Sequence, residues 1–238
     1  MTRSVPRKIQ LAISIAAVTL GLSALAQAGP PLICHAIQIG QAKSLPLSGE
    51  GWSGAGSYDV KNLAADTLAL LTPQTPVLVR METLRRATIY ARTDPQAAKQ
   101  LLVRLYNRAT DADSAGQPDA LAWFDAGYLV ECYREWIGRD LPHMTDGLRL
   151  DSNPAANLDG YAWVNKAISL KGSDPQMELA AALITQQGAP REHQQHLQLA
   201  MAGAKNDPLL AQNLSSRFGG INTPTMAELL EQTPRGRN

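Results

Sequence analysis

The residues best suited to chemistry lie in the segment LAWFDAGYLVECYREW, residues 121–136, where carboxylates are interspersed with aromatic side chains. Asp125, Glu131 and Glu135 could place two carboxyl groups beside a sugar ring, one as a general acid and the other as a base or nucleophile. This arrangement is the basis of an alternative interpretation of the chain as a glycan hydrolase. The competing interpretation is that these acidic residues form the solvated side of a helix. Convergence of two of them in a cleft would favour the enzyme, and separation would oppose it.

The aromatic residues of this segment have helical spacing and support two interpretations. Trp123, Tyr133 and Trp136 are the candidate lining of a groove for a peptide or glycan, because helical-repeat proteins often bind ligands on their inner face. The simpler interpretation is a central helix that is apolar on two sides and buried on both. Its stripe would consist of Leu121, Phe124, Tyr128, Cys132 and Trp136.

The two cysteines, Cys34 and Cys132, allow either a disulfide or two separate thiols. An exported protein lies in an oxidising compartment where a disulfide can persist, and such a bond typically stabilises a domain by about 2–4 kcal/mol. His35 follows Cys34 directly, but covalent haem attachment needs two cysteines just before the histidine. We therefore predict that residues 29–57, which contain the Cys34–His35 pair, form a structural arm rather than a cofactor site.

No cofactor or metal is predicted, because every matching motif lacks a required part. GEGWSG, residues 49–54, has the dinucleotide-binding spacing without a preceding strand or a parallel-sheet pattern. DADSAGQPDALA, residues 111–122, has alanine where a calcium loop needs its bidentate glutamate, so we expect an inter-helix loop that caps the next helix. His193 and His196 share a helical face but lack a third ligand, and His143 is remote in sequence, so an exposed polar face is expected.

Residues 1–28 have the features of a signal peptide. Arg3, Arg7 and Lys8 precede an apolar run, and Ala26-Gln27-Ala28 places small residues where a signal peptidase cuts, before Gly29. The chain has 22 Lys and Arg against 21 Asp and Glu, and residues 1–28 hold three of the basic residues and no acidic one, which leaves a net charge of −2. We expect a secreted or periplasmic protein that is not stably inserted in the membrane after cleavage and does not bind nucleic acid.

The remainder is predicted to be all-α. Residues 29–57 form an extended N-terminal arm, residues 58–218 a helical domain, and residues 219–238 a short terminal helix and tail. The predicted helices are Asp59–Leu71, Pro76–Ala91, Asp94–Thr110, Pro118–Gly138, Leu158–Lys171, Asp174–Gln187, Pro190–Lys205, Asp207–Phe218 and Pro224–Gln232.

One pattern recurs in ATIYARTDP, AISLKGSDP and AMAGAKNDP, which end at Pro95, Pro175 and Pro208. In each, one helix ends, and an aspartate caps a new helix whose first residue is proline. The last two copies are 33 residues apart and the first two are 80 apart. Over residues 76–218 the chain resembles the tetratricopeptide-like α-solenoids. The resemblance implies antiparallel helical hairpins stacked as a short array, preceded here by the N-terminal arm.

CHAIQIGQAKSLP, with the later DTLALLTPQTPVLVRMETLRRATIYA, also resembles a group of uncharacterised secreted bacterial proteins, and that likeness implies no activity. The sequence therefore predicts a non-catalytic module that binds a protein or peptide of the cell envelope. The alternative is the glycan hydrolase that would use Asp125, Glu131 and Glu135.

Overall fold

The computed structural model describes residues 29–48, 53–136 and 154–219, and in these ranges the protein is all-α, as predicted. The helices are α1 (Leu63–Leu70), α2 (Val77–Ala91), α3 (Pro95–Ser114), α4 (Ala120–Arg134), α5 (Gly160–Lys171), α6 (Pro175–Thr185), α7 (Pro190–Gly203) and α8 (Pro208–Phe218), with 3-10 turns at Val60–Asn62 and Ala204–Asn206. The strands β1 (Leu47–Ser48) and β2 (Ser53–Gly54) form a two-residue antiparallel bridge. The predicted signal peptide and the helix Pro224–Gln232 lie outside the described residues.

The recurrent Asp-Pro pairs start helices as predicted. The Asp94 carboxylate accepts hydrogen bonds from the first free amides of α3, and Asp174 and Asp207 do the same for α6 and α8. In each case the proline at the first helical position has no amide hydrogen to leave unpaired, and its fixed φ suits the helix. Asp119 caps α4 in the same way without a proline, as expected, but the loop is shorter than predicted because α3 continues to Ser114.

Helix α4 is the centre of the domain and packs against α2, α3, α5 and α6. Phe124, Tyr128 and Tyr133 are fully buried along it. Helices α4 and α5 approach so closely at Gly127 and Gly160 that a β-carbon on Gly127 would lie 2.6 Å from the Gly160 carbonyl oxygen. The remaining helices pack mainly against their neighbours in the chain, with α1 on α2 and α3, α6 on α7, and α7 on α8.

The N-terminal arm is part of the core. Its described residues, 29–48 and 53–57, contain no helix, in agreement with the sequence, but residues 32–45 contribute large side chains that the sequence pattern did not assign to the interior. Leu32, Ile33, Ile37 and Leu45 are each at most 2% exposed. Among the described residues, no helix is both long and apolar enough to cross a membrane.

Candidate functional site

Three aromatic rings from α3, α4 and α5 form a cluster that reaches the protein surface. Tyr106 stacks on Trp163 with ring centroids 5.0 Å apart. Trp123 lies edge-on to both, at 6.2 Å from Tyr106 and 5.8 Å from Trp163. Trp123 is only 6% exposed, whereas Tyr106 is 40% exposed, so Trp123 forms the floor and Tyr106 the outer part. We call these three residues, together with Asp113 and Lys166, the aromatic face.

An ion pair holds the floor of the aromatic face in place. The Lys166 ammonium lies 3.7 Å from the centroid of the Trp123 ring and 2.5 Å from a carboxylate oxygen of Asp113. The other Asp113 oxygen accepts a 3.0 Å hydrogen bond from the Trp123 indole nitrogen. The hydrogen bonds from Lys166 and Trp123 lower the pKa of Asp113, because both stabilise its ionised form. Trp123 is thus oriented by both a cation and an anion.

Further apolar side chains extend this surface along its two outer helices. Val103 is 45% exposed and lies one turn before Tyr106 on α3, and Leu170 is 41% exposed and lies two turns after Trp163 on α5. Residues three, four or seven apart share a helical face, so each extends the aromatic face along its own helix. Leu199, on α7, is 39% exposed but belongs to another part of the chain.

The predicted groove is wrong for two of its three residues. Trp123 contributes to the aromatic face, but Tyr133 and Trp136 are fully buried. The Tyr133 hydroxyl donates to the Ala98 carbonyl oxygen at 3.3 Å, and the Arg92 guanidinium lies 5.5 Å from the Trp136 ring centroid. The physical reason is that α2, α3, α5 and α6 pack around α4, so the aromatic side chains near its end lie in the core.

Asp125 is a buried member of an ion pair rather than a solvated carboxylate. It is fully buried, and one oxygen lies 2.5 Å from the Arg80 guanidinium. The other oxygen has no hydrogen-bond partner among the described residues. Burial raises the pKa of Asp125 to about 6, against the opposing charge of Arg80. The expectation that Asp125 lies on a solvated helix face is therefore wrong.

Glu131 and Glu135 have different surroundings from Asp125 and from each other. Glu131 accepts hydrogen bonds from Arg134 and from the Tyr161 amide, each at 3.0 Å, and burial raises its pKa. Glu135 accepts hydrogen bonds from main-chain amides of the N-terminal arm. The structure thus gives the three carboxylates three separate sets of partners, and this geometry does not support shared acid–base chemistry.

Cys34 and Cys132 are both buried, and no disulfide joins them among the described residues. Burial raises the pKa of the Cys132 thiol well above its usual range, which disfavours the reactive thiolate. A disulfide between Cys34 and Cys132 stays a prediction. The intact mass of the protein purified without reductant tests it.

His196 is not on an exposed polar face, contrary to the prediction from REHQQH. It is buried between two partners, with Nδ1 at 2.6 Å from a Glu178 carboxylate oxygen and Nε2 at 2.9 Å from the Tyr161 hydroxyl. The three side chains link α5, α6 and α7. His193 Nδ1 instead contacts the Ala182 carbonyl oxygen at 2.7 Å. Sequence spacing missed this cluster because its members are 18 and 35 residues apart.

A search of the described ranges finds no group of three or more His, Cys, Asp or Glu side chains that could hold a metal. His143 and residues 49–52 of the GEGWSG motif lie outside those ranges. A pocket of about 410 Å³ opens at the start of α2, α6 and α8, where Asp174, Asp207 and Gln176 line it. Their side chains bond amides or each other, so this pocket is built from helix caps.

Comparison with known proteins gives no relative of this chain. No protein-family model matches it, and no curated protein or solved structure matches it either.

Proposed function

We propose that this chain is an exported helical-repeat protein of the cell envelope, with its hairpins stacked as a tetratricopeptide-like array. In this proposal it is a non-catalytic module that binds a protein partner through the aromatic face. The observation that carries the proposal is the exposed Tyr106 ring, stacked on the half-buried Trp163 ring above a floor formed by Trp123. The Asp-Pro caps support the repeat, and the basic and apolar pattern of residues 1–28 supports export.

The composition of the aromatic face favours association. Tyrosine and tryptophan are enriched in protein interfaces, where they provide large contact areas with few rotatable bonds. Stacking and the Asp113–Lys166 pair already hold Trp123 and its neighbours in one arrangement. These side chains therefore lose little conformational entropy when a partner binds. Val103 and Leu170 would supply aliphatic contact beside the rings.

The charges beside the rings indicate what kind of partner fits. Asp113 and Lys166 neutralise each other and are only 30% and 41% exposed in their side chains. The face therefore has no strong charge of its own, and a partner segment with aliphatic or aromatic side chains suits it better than a strongly charged one. Hydrolysis by Asp125, Glu131 and Glu135 is the weaker alternative, because each carboxylate already has separate partners.

Site-specific photo-crosslinking in the native host tests the proposal. A photoreactive phenylalanine analogue replaces Tyr106 in one variant and Leu199 in a matched control, because the two side chains have nearly equal exposure, 40% and 39%. We expect a discrete protein adduct from position 106 and none from position 199. Equal adducts from both positions, or none from position 106, would refute the assignment of the aromatic face.

Point variants then measure the contribution of the face to binding. With the crosslinked partner purified, we expect Tyr106→Ser to weaken its affinity at least about tenfold, because removing an aromatic hot-spot side chain costs about 2 kcal/mol or more and about 1.4 kcal/mol is a factor of ten. Leu199→Ser should leave the affinity unchanged. A glycan adduct in place of a protein would instead assign the rings to sugar stacking and overturn the protein-binding proposal.

A further inference from the structure

The first residues of the N-terminal arm are held by side chains rather than by another strand. A carboxylate oxygen of Glu135, the residue after α4, accepts hydrogen bonds from the amides of Leu32 and Ile33 at 3.0 and 2.9 Å. The Arg85 guanidinium of α2 donates to the Ile33 carbonyl oxygen at 3.0 Å. Both polar groups of the Ile33 main chain are therefore bound by charged side chains of the helical domain.

Side chains of helix α8 also bind main-chain groups of the arm, between residues 31 and 38. Arg217 donates to the carbonyl oxygens of Pro31 and His35, at 2.6 and 2.5 Å. The Asn213 amide bonds Gln38 at both main-chain groups, accepting from its nitrogen at 2.8 Å and donating to its oxygen at 2.9 Å. Both bonds go to main-chain atoms of Gln38, so this contact does not depend on the type of side chain at that position.

Helix α2 completes the set. Glu82 accepts a hydrogen bond from the Ile37 amide at 2.9 Å, and Arg86 donates to the Leu45 carbonyl oxygen at 2.7 Å. Burial acts to raise the pKa of Glu82, but hydrogen bonds and charges from Arg85 and Arg86 outweigh it and lower the pKa. Glu82 therefore faces the arm as a carboxylate that Arg85 and Arg86 hold in place.

We define the arm site by these side chains, which are Glu82, Arg85, Arg86, Glu135, Asn213 and Arg217. The site contacts main-chain amide and carbonyl groups. Every residue type has both groups except proline, which lacks the amide hydrogen. Its selectivity must therefore come from the buried aliphatic side chains of the arm, Leu32, Ile33, Ile37 and Leu45. Selection by spaced apolar side chains together with main-chain hydrogen bonds is how proteins recognise extended peptides.

We propose that the arm site is a polypeptide-binding site, occupied in cis by residues 29–48, that also accepts the same segment of a second copy of this chain. The second copy is the occupant because its residues 29–48 carry the same main-chain groups and the same buried Leu32, Ile33, Ile37 and Leu45 side chains that the arm site holds in cis. Exchange would preserve the hydrogen bonds between the arm and the arm site, and protein concentration would set its extent.

Two complementary full-length variants test exchange between copies. Ile37→Asp damages the arm by placing a carboxylate beside Glu82, and Asn213→Leu damages the site by removing both bonds to Gln38. Mixing pairs the intact arm of the second variant with the intact site of the first. We expect each variant alone to stay monomeric and the mixture to form a 1:1 heterodimer by native mass spectrometry. A mixture that stays monomeric, while both variants remain helical by circular dichroism, overturns the proposal.

A peptide-binding assay with the wild-type chain tests the proposal independently of whether the two variants fold. The wild-type full chain is incubated with a fluorescent synthetic peptide of residues 29–48, and anisotropy reports its uptake. We expect saturable binding that unlabelled peptide competes away, and at least about tenfold weaker binding of the Ile37→Asp peptide, since it would bury a charge. Uptake of neither peptide, or equal uptake of both, overturns the proposal. Binding of the wild-type peptide without mixed dimers between tagged and untagged chains overturns the second copy as the occupant.

Discussion

Gly127 on α4 permits the close approach of α5, and Gly127→Ala should destabilise the domain. A β-carbon at this position would lie 2.6 Å from the Gly160 carbonyl oxygen, 2.9 Å from the Val164 nitrogen and 2.9 Å from the Trp163 β-carbon. The first two atoms are main chain, so no flexible side chain can turn away. The helices must separate, and the packing around Gly127 must loosen.

Two effects of opposite sign determine the size of the change. Alanine is favoured over glycine inside a helix by about 1 kcal/mol. Overpacking a dense interior typically costs about 1–3 kcal/mol, and contact with the main chain of α5 places Gly127→Ala at the upper end. We expect a net loss of about 2 kcal/mol in the free energy of unfolding, which corresponds to about 4–8 °C in Tm for a chain of this size.

Urea denaturation followed by far-UV circular dichroism measures this loss, and tryptophan fluorescence reports on the aromatic face, since Trp163 moves with α5. Gly56→Ala is the matched control, because a β-carbon there would meet no atom within 4 Å. The control should change stability by less than about 0.5 kcal/mol. A Gly127→Ala protein as stable as the wild type, or more stable, would show that helix propensity outweighs the contact and would refute the reasoning.

Three further predictions concern single side chains. Because burial raises the pKa of Asp125 from 3.8 to about 6, the folded chain holds this proton more tightly than the unfolded chain, so the contribution of Asp125 to the free energy of unfolding should fall by up to about 3 kcal/mol as pH rises from about 4 to about 6. Asp125→Asn, whose neutral amide resembles the protonated acid, should lack this fall, and urea titrations across the pH range would contradict us if both proteins kept the same slope. Asp94→Ala should cost about 1 kcal/mol in urea unfolding, because two amides of α3 lose their cap, and an unchanged midpoint would count against the cap. Lys166→Met should change the stability little, since the pair is partly exposed, but should shift tryptophan emission, and an unshifted spectrum would speak against the contact with Trp123.

The sequence alone predicted the helices from α1 to α8 and the way in which several begin. Aspartate followed by proline is a local signal, because the carboxylate bonds amides two or three residues away and proline fixes one backbone angle. The observed starts at Pro95, Pro175 and Pro208 follow these signals, and the helix ends agree to within a few residues. The arm was predicted to lack helix for the same local reason, since its segment has no helical period.

The tertiary structure decided which surfaces are buried and which side chains meet. Trp123 and Tyr133 belong to one apolar helix, and only the packing of α4 within the other helices leaves the first near the surface and the second in the core. Long-range pairs such as Leu32 with Glu135, 103 residues apart, depend on how the whole chain folds back on itself. Sequence patterns encode which faces are apolar, but the partner of each face is fixed by competition among all of them for burial, which no local window contains.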